Sequence, residues 1–285
     1  MTEIDRYSLC LSSSDWDRLG RWLRANPRVL FNDPSIRKEI CKRRADAFAH
    51  EAEFTGDKSN MIDLTVAYNK AHQRERFLES HSSRLIWPLM AIDPVYEHAA
   101  ELKVLSVGPR TTGEVLKLIA AGFTPENITA IDVVSNDPLI EIGDMHAMPY
   151  PNDTFDIVIS GWTLPYSRNR KRALSEHVRV VKDGGLLAIG LTRVPKEHAE
   201  YPALVEQGST IYDHTSHIQN DVDTTPGCVW AESVFSYAPP NAMTDHKNKG
   251  ALLWIGHVWK RSRMVSEHMA LIENRGWLSA KKTAG

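Results

Sequence analysis

The sequence contains few cysteines and no long apolar run. Its three cysteines, Cys10, Cys41 and Cys228, form no CxxC pair and no metal-ligand spacing among the 285 residues. Scattered thiols of this kind are typical of a reduced, cytoplasmic protein, so we predict neither a disulfide nor a metal site. No stretch reaches the roughly 18 apolar residues of a membrane-spanning helix. Residues 1–6 also lack the apolar stretch of a secretory signal, which favours a cytoplasmic location.

Net charge is also nearly absent. Lys and Arg number 34 against 36 Asp and Glu, which gives a formal charge of −2. Because the chain lacks the positive field that drives nonspecific nucleic-acid binding, we expect no nucleic-acid partner. The basic run Arg168, Arg170, Lys171 and Arg172 leaves that alternative open, although such a run is also typical of a solvated helix face.

One interval has no positive side chain apart from histidine. Between Lys196 and Lys247 there is no Lys or Arg, whereas eight acidic residues fall there. Long connections between late strands often carry function. We therefore predict that residues 195–250 form an insertion or lid.

The pattern of apolar residues changes near residue 101. Before it, helical spacing predicts helices over 14–26, 34–54, 61–78 and 94–101. We predict that residues 1–100 form a helical region that acts as a cap or as the surface of a homodimer. Residues 266–285 are predicted to form a C-terminal helix and tail.

Between residues 101 and 265, short apolar runs alternate with helical patterns. The runs predict strands over 102–107, 127–133, 154–160, 186–191 and within 251–259. Between them lie an amphipathic helix over 112–121 and a second helix over 170–181, which we expect Asp183-Gly184-Gly185 to end. Such alternation predicts an α/β domain with a parallel sheet that is covered on both faces.

A strand, a turn and a helix carry the first functional signal. The run 104–114 places Gly108 in the turn and Gly113 at the start of the helix. Glycines there let the backbone approach a ligand, and a helix N-terminus offers N–H groups to an anion, although plain packing explains the same pattern. Asp132 ends the next strand, where it either accepts hydrogen bonds from ribose hydroxyls or caps a helix. Together these features favour a cofactor that contains a nucleoside.

Two later segments indicate which type of nucleoside-containing cofactor the chain would bind. Residues 143–164 contain Gly-Asp-Met-His-Ala-Met, the turn Pro-Tyr-Pro and the strand Phe-Asp-Ile-Val-Ile-Ser-Gly-Trp, and residues 181–187 read Val-Lys-Asp-Gly-Gly-Leu-Leu. With these motifs in order over 102–192, the chain resembles class I S-adenosylmethionine-dependent methyltransferases, especially the type 11 group of small-molecule enzymes. The resemblance implies a Rossmann-like, doubly wound, mostly parallel seven-stranded sheet with an α-helical N-terminal extension. Its last two strands are expected near 233–237 and 252–259.

The resemblance also implies how S-adenosyl-L-methionine would be held. Gly108 and Gly113 would line its methionine and ribose part, and Asp132 would hold the ribose diol. Asp144 would accept from the adenine amino group, with Met145 against the ring. The full predicted cofactor-binding set is Gly108, Pro109, Arg110, Gly113, Asp132, Val133, Asp144, Met145, Ser160, Gly161 and Trp162.

The glycine loop departs from the family pattern. Ser106 occupies a position that is usually acidic, and residues 109–112 stand where a further, closely spaced glycine is usual. Losing that carboxylate would weaken one route for holding the cofactor's amino group. Arg110 is placed either to pair with the cofactor's carboxylate or to remain a solvated loop residue. These departures keep a second hypothesis open, a catalytically silent methyltransferase-like binding module.

The implied reaction is an in-line transfer of a methyl group to a small-molecule acceptor. Such a reaction needs alignment and a dry site, and it needs a base only where the acceptor must lose a proton. Residues 160–162 would face the sulfonium or the acceptor. The ring of Trp162 offers either a π face to the sulfonium or an ordinary apolar wall.

Three residues are candidate bases. Tyr166 follows the strand that carries the Trp162 motif, and His214 and His217 lie in the acidic interval. Each of the three is also typical of a packed or surface position. A third hypothesis, an NAD-dependent oxidoreductase, is disfavoured by the Asp144 loop and by the Gly-Gly pair at 184–185.

Overall fold

The computed structural model describes residues 11–63, 65–72, 83–240, 242 and 244–261. Within them, seven strands form one sheet with the spatial order β5 (Glu141–Ile142), β3 (Ile128–Asp132), β2 (Val104–Val107), β6 (Phe155–Gly161), β7 (Val181–Arg193), β9 (Gly250–Trp259) and β8 (Trp230–Tyr237). The first five strands in that order run parallel, and β9 is antiparallel to both of its neighbours. A separate antiparallel ribbon joins β1 (Ala52–Glu53) to β4 (Val134–Ser135). The predicted mostly parallel seven-stranded sheet is confirmed.

Helices precede the sheet and flank it. Their bounds are α1 (Ser13–Ala25), α2 (Pro34–Phe48), α3 (Thr65–His72), α4 (Ser83–Met90), α5 (Asp93–His98), α6 (Thr112–Ala120), α7 (Arg170–Val180), α8 (Tyr201–Glu206) and α9 (Thr215–Asp223). Helix α2 ends at Phe48, before its predicted limit of 54. The next residue, Ala49, takes a left-handed φ of 44°. The predicted C-terminal helix over 266–285 and residues 73–78 of the third predicted helix lie outside the described residues. No helix in the described part of the chain is long and apolar enough to cross a membrane.

Apolar side chains cover both faces of the central strands. On one face, Leu105 and Val158 belong to a core cluster that α7 and α9 complete. On the other face, Val104 and Ile159 pack in a second cluster with side chains of α4 and α5. Strands buried on both faces are typical of a parallel sheet, so the apolar runs of the sequence correspond to its middle strands.

The N-terminal helices attach to this domain in different ways. Helix α4 buries Leu85 and Leu89 completely in the core beside the sheet. Helix α2 is held by an ion pair, because two guanidinium nitrogens of Arg44 lie 2.7 and 2.8 Å from the carboxylate oxygens of Asp137. Helix α1, which is described over its whole length, contains no buried residue. Homodimer formation through these helices stays a prediction.

Helix α6 is amphipathic in sequence, as predicted, but it is buried on all sides. Residues from Thr112 to Ile119 are all buried, because α2 and the 3-10 turn Pro27–Asn32 cover the side of α6 that faces away from the sheet. The Nζ atom of Lys117 lies 4.2 Å from the centroid of a Trp87 ring and 3.3 Å from Oδ1 of Asn32. The N-terminal region therefore supplies contacts for the ammonium group of Lys117, which water would otherwise hydrate.

The Gly-Gly pair lies inside a strand, so the prediction that it ends a helix is wrong. Strand β7 already begins at Val181, which pairs with Phe155 of β6. At Gly184 the backbone has a φ of 73°, and a Cβ atom would lie 2.7 Å from the ring of Trp259. Glycine is needed there because the strand bends past that ring.

The acidic segment 195–250 is tied to the domain by one buried arginine. The segment contains α8, α9 and the edge strand β8. Arg193, at the end of β7, is buried and donates to the backbone carbonyl oxygens of Asp213, Ala242 and Asp245 at 3.1, 2.6 and 2.9 Å. One guanidinium group thus fixes two distant parts of this segment to the sheet.

The basic run before α7 makes contacts within the chain. Arg168 donates to both carboxylate oxygens of Asp63, at 2.9 and 2.8 Å. Arg170 lies 3.0 Å from the carboxylate of Asp221 in α9. These arginines therefore link the N-terminal segment and the acidic segment to the start of α7.

Candidate functional site

A cavity of about 710 Å³ lies at the carboxyl ends of β2, β3 and β6. Open parallel sheets bind their ligands in this position. The predicted cofactor-binding residues that line the cavity are Gly108, Pro109, Arg110, Asp132, Val133, Asp144, Met145, Gly161 and Trp162. Gly113, in the first turn of α6, and Ser160, which is fully buried in β6, are not among its lining residues. The fold thus brings most of the predicted set together.

The glycine loop contains two residues with a left-handed backbone. Gly108 has a φ of 71° and Arg110 a φ of 58°. A Cβ atom at Gly108 would collide with Thr163, whose hydroxyl donates to the Val107 carbonyl at 2.8 Å, so packing inside the protein already demands glycine. A positive φ is uncommon at a residue such as arginine. The Arg110 N–H donates to Oδ2 of Asp132 at 2.8 Å, which fixes the loop against β3.

Asp132 ends β3 with its carboxylate buried beside the cavity. Its Oδ1 atom accepts from the N–H of Val134 at 3.3 Å. Burial raises the pKa of the Asp132 carboxyl above its ordinary value, and the backbone N–H groups of Arg110 and Val134 oppose that effect. Further hydroxyl donors would stabilise the charged form, so the geometry favours a ligand with hydroxyl groups such as a ribose.

Asp144 belongs to a buried chain of three hydrogen-bonded side chains. Its Oδ1 atom accepts from the backbone N–H of His146 at 3.0 Å and lies 2.6 Å from Nδ1 of the same residue. The Nε2 atom of His146 lies 2.7 Å from the hydroxyl of Ser167. With the proton on Nδ1, the imidazole donates to Asp144 and accepts from Ser167. This chain fixes the Asp144 loop to the turn that carries Tyr166.

A buried pair formed by Ser106 and Glu114 was not singled out by the sequence. The Ser106 hydroxyl donates to Oε1 of Glu114 at 2.6 Å, and Glu114 lines the cavity from the first turn of α6. An acidic residue in a first helical turn is usually explained by the helix dipole. The available signal was the serine at a usually acidic position, which left a carboxylate to be supplied from elsewhere.

Helix α3 closes one side of the cavity with polar side chains. Thr65 and Asn69 line it together with Met61. Only 6% of Thr65 and 7% of Asn69 is exposed. The Oγ1 atom of Thr65 and the Oδ1 atom of Asn69 have no hydrogen-bond partner among the residues that the structure describes. The sequence did not indicate either residue, because only the tertiary structure brings α3 to the glycine loop.

A larger chamber of about 1280 Å³ adjoins this cavity. Thr65, Arg110, Trp162 and Tyr166 line both spaces. The rest of the chamber is lined by Ile62, Tyr68, Pro165, Thr192, Val194, Glu200, Leu204, Gln207, Ser209, Thr210, Ile211 and Lys249. About half of these lining residues are aromatic or aliphatic and half are polar, a mixture that suits a small molecule with an apolar body and several polar groups.

Trp162 forms a fixed wall between the two spaces. Its backbone has a φ of 60°, and its N–H donates to the carbonyl of Gly190 at 2.6 Å. The indole N–H donates to the hydroxyl of Thr192 at 2.8 Å. A Cβ atom at Gly190 would lie 2.8 Å from the indole, so this glycine makes room for the ring. The position of the indole is therefore set by the protein before any ligand binds.

Of the three candidate bases, Tyr166 alone lines these spaces. His214 is the N-cap of α9, and its Nδ1 atom accepts from the N–H of Ser216 at 3.2 Å. His217 is exposed on α9, in a shallow cleft with Arg170. The fold does not bring either histidine to the lining of the cavity or the chamber, because α9 packs on the sheet away from both.

Known proteins share the region that carries the motifs. Residues 105–189 match a family model described as a methyltransferase domain. Over 111 residues, the chain is 31% identical to the chloroplastic 2-methyl-6-phytyl-1,4-hydroquinone methyltransferase 1 of Oryza sativa subsp. japonica, a match that covers 35% of this chain and 33% of that protein. Over 109 residues it is 28% identical to the second such rice enzyme, covering 34% of this chain and 31% of that protein. The chain thus spans about a third of the length of these curated relatives.

A solved structure with a similar arrangement is the N-methyltransferase NodS of Bradyrhizobium japonicum WM9 in complex with S-adenosyl-L-homocysteine. The TM-score is 0.43 at 15% identity, and the match covers 64% of this chain and 88% of that chain. The family match itself begins in β2 and ends in β7, so it contains the glycine loop, Asp132 and the Asp144 loop. Residues 105–189 are thus similar to a methyltransferase domain, which agrees with the resemblance to class I S-adenosylmethionine-dependent methyltransferases found in the sequence.

Proposed function

We propose that this protein transfers a methyl group from S-adenosylmethionine to a small-molecule acceptor. The observation that carries the proposal is the pair of adjoining spaces. The cavity lined by the methyltransferase motifs shares Trp162 and Tyr166 with a chamber whose lining suits a small organic molecule.

The residues of the cavity fit S-adenosylmethionine. Asp132 offers a buried carboxylate to the ribose hydroxyls, and Asp144 and Met145 line the part that would take the adenine. Thr65 and Asn69 contribute buried polar atoms without a hydrogen-bond partner among the described residues. Since buried polar atoms are normally paired, a polar ligand in this cavity accounts for both.

The protein's own contribution to methyl transfer is alignment and exclusion of water. When bound, S-adenosylmethionine supplies a methyl group whose bond to the charged sulfur breaks as the acceptor atom attacks, and the sulfur keeps the electron pair. Trp162, fixed by Gly190 and Thr192, sets the boundary at which the two partners meet. Tyr166 lines the same boundary, and its side chain is our candidate base, which as the phenolate would take a proton from an acceptor that must lose one.

Glu114 supplies the carboxylate that the glycine loop lacks. In the family, an acidic residue at the position of Ser106 helps to hold the cofactor's amino group. Here the Ser106 hydroxyl binds the Glu114 carboxylate, which lines the same cavity. The negative charge is kept, but its origin moves from the end of β2 to the first turn of α6.

The chamber favours an acceptor with a flat apolar body. Tyr68, Trp162 and Tyr166 contribute aromatic side chains, and Lys249, which is paired with Glu200, contributes a polar group. The related rice enzymes are named for a hydroquinone substrate. Phenols and hydroquinones are therefore the first acceptor class to test.

Calorimetric titration with S-adenosylhomocysteine tests the cofactor assignment. The wild-type protein should bind, and Asp132→Ala should bind at least tenfold more weakly because a buried carboxylate no longer meets the ribose. Asp17→Ala, at an exposed position of α1, is the matched control and should bind like wild type. A folded wild-type protein that shows no binding would contradict the proposal.

Turnover distinguishes the enzyme from a catalytically silent binding module. We expect methyl transfer to at least one member of a panel of phenols, hydroquinones and amines, measured as release of S-adenosylhomocysteine. Binding of the cofactor without turnover on any acceptor would favour the binding module.

A cytoplasmic location stays a prediction, and the rice relatives are named as chloroplastic.

A charge exchange tests the role of Glu114. Glu114→Gln should weaken S-adenosylhomocysteine binding by about ten- to a hundredfold, the usual worth of a hydrogen bond to a charged group. It should leave 5′-methylthioadenosine binding unchanged, because that molecule lacks the amino-acid part. The double variant Ser106→Asp with Glu114→Gln should recover affinity. Wild-type affinity of the single variant would show that Glu114 does not hold the amino group.

A further inference from the structure

We infer that helix α3 is a cofactor-binding element in which Thr65 and Asn69 hydrogen-bond to S-adenosylmethionine. The methyltransferase motifs assign no residue before Gly108 to the cofactor, so this site lies outside them. The inference rests on the proposed function, because it adds binding residues to the same cavity.

Helix α3 turns two polar side chains, Thr65 and Asn69, inward. Thr65 and Asn69 are four residues apart and so lie one above the other on one face of α3. Both are buried at the cavity, whereas Ala67 and Lys70 are exposed on the remaining surface. A helix that packs only for stability usually presents apolar residues at such inward positions. The pattern of α3 is therefore typical of a ligand site.

Two buried oxygens on this face have no hydrogen-bond partner among the residues that the structure describes. Neither Oγ1 of Thr65 nor Oδ1 of Asn69 has a hydrogen bond within the described part of the chain. Such atoms are rare in folded proteins, because the water they lose must be replaced by another partner. Both oxygens belong to residues that line one cavity, so a single ligand with hydroxyl or amine groups can satisfy both.

The contacts of α3 indicate which part of the cofactor it meets. Lys70 lines a separate cleft with Val134, next to the end of β3. The ring centroid of Tyr68 lies 5.6 Å from the guanidinium carbon of Arg110 in the glycine loop. Asn69 stands between these two contacts along the helix. Asn69 also lines the cavity together with Asp132 and Val133 at the carboxyl end of β3, where the ribose hydroxyls of the cofactor are expected.

Isosteric apolar substitutions separate a ligand-binding role from a structural one. Asn69→Leu should weaken binding of both S-adenosylhomocysteine and 5′-methylthioadenosine by about tenfold, because both molecules keep the ribose. Thr65→Val should weaken S-adenosylhomocysteine binding by a similar factor. The melting temperature of the ligand-free variants should stay the same or rise, since each change removes an unpaired polar atom. Ala67→Ser, on the exposed side of α3, is the control and should change neither quantity.

The outcomes distinguish this inference from the proposed function. If the wild-type protein binds no S-adenosylhomocysteine, the proposed function itself fails. If the wild-type protein binds it and Asp132→Ala does not, but Asn69→Leu and Thr65→Val bind like wild type, the inference about α3 alone is overturned. A lower melting temperature with unchanged affinity would likewise overturn it, because the side chains would then serve the fold. Thr65→Val carries the test by itself if Asn69→Leu does not fold.

Discussion

Helices α1 and α4 are both amphipathic, yet they bury their apolar faces to very different extents. In α4, Leu85, Ile86 and Leu89 are no more than 1% exposed. In α1, Trp16 and Trp22 are 52% and 50% exposed. The helical pattern predicts an apolar face in both cases, but it does not say what covers that face.

The difference lies in what packs against each helix. Helix α4 contacts β7 and β9 of the sheet, whereas α1 contacts mainly the 3-10 turn at Pro27–Asn32. Local bonds define α1 instead, because Ser12 and Asp15 form a capping box at its N-terminus. An amphipathic sequence is therefore sufficient for a helix, while its contribution to stability depends on residues far away in the chain.

Matched leucine truncations should show the largest effect of this difference. Leu89→Ala in α4 should lower the free energy of unfolding by about 3 kcal/mol, because it leaves a cavity in a fully buried cluster. Leu23→Ala in α1 should lower it by less than about 1 kcal/mol, since that side chain is only half-buried. Urea unfolding measures both. Equal losses would show that α1 is as well covered as α4.

Protonation of His177, which is buried in α7, should have the next largest effect on the free energy of unfolding. Burial lowers the pKa of His177 in α7 to about 4. Between about pH 6.5 and pH 4, the unfolded chain binds a proton at this residue and the folded chain does not, so stability falls as the pH drops, by up to about 3 kcal/mol. His177→Gln should flatten this part of the pH profile of unfolding. His217→Gln, at an exposed helix position, is the control and should leave the pH profile as in wild type. If His177 were accessible to solvent, His177→Gln would leave the pH profile unchanged as well.

Helix α2 offers an intermediate case, because an ion pair holds it to the domain. Burial raises the pKa of the Asp137 carboxyl, but hydrogen bonds from Arg44 and the Leu139 N–H outweigh that effect and keep it below its ordinary value. Arg44→Met should cost about 2 kcal/mol at pH 7, since it strands a buried carboxylate. The stabilisation exists above the unfolded pKa of about 3.9 and is lost as the pH falls through the lower folded pKa.

The control for this ion pair lies one residue earlier. Arg43 pairs with Glu39 on the exposed side of α2, and Arg43→Met should cost at most about 0.5 kcal/mol. Unfolding measured at pH 7 and again below pH 3 should show that the loss in Arg44→Met shrinks in acid. A loss that is independent of pH would mean that Arg44 stabilises through its aliphatic stem.

Among these changes at structural positions, Arg110→Gly in the glycine loop is expected to alter stability least. Arg110→Gly removes the strain of a left-handed backbone but frees the unfolded chain, so the free energy of unfolding should change by less than about 1 kcal/mol. Affinity for S-adenosylhomocysteine should nevertheless fall, because a cation that lines both spaces is lost. Gly108→Ala is the counterpart and should destabilise more, since its Cβ would collide with Thr163. Thermal unfolding and calorimetric titration together check both variants.

The sequence predicted well those elements that bury a continuous apolar run. The strand expected over 154–160 is Phe155–Gly161, and the one expected over 127–133 is Ile128–Asp132. Strand β5 was not predicted, because it is only Glu141–Ile142 and has no apolar run of its own. The prediction of a helix end at Gly184 is wrong, since glycine is common both after helices and within bent strands, and only the nearby Trp259 ring distinguishes the two.

Within the site, the sequence indicated residues that stand next to one another in a motif. Asp132 lies at the end of a recognisable strand, and Asp144 lies shortly before a recognisable turn. Both line the cavity. Thr65, Asn69 and Glu114 reach the same cavity from helices, where their spacing resembles that of ordinary polar positions. Local pattern therefore indicated the edge of the sheet at which the cavity lies, while the helices that close the cavity required the tertiary structure.

The wall shared by the two spaces would make ligands bound in them thermodynamically dependent on each other. Trp162 and Tyr166 face both, so a ligand that shifts either side chain changes the neighbouring space as well. By linkage, if the first ligand changes the affinity for the second by some factor, the second changes the affinity for the first by the same factor. A rigid indole with two hydrogen bonds keeps that factor small, and the order in which the ligands arrive then depends on access to each space.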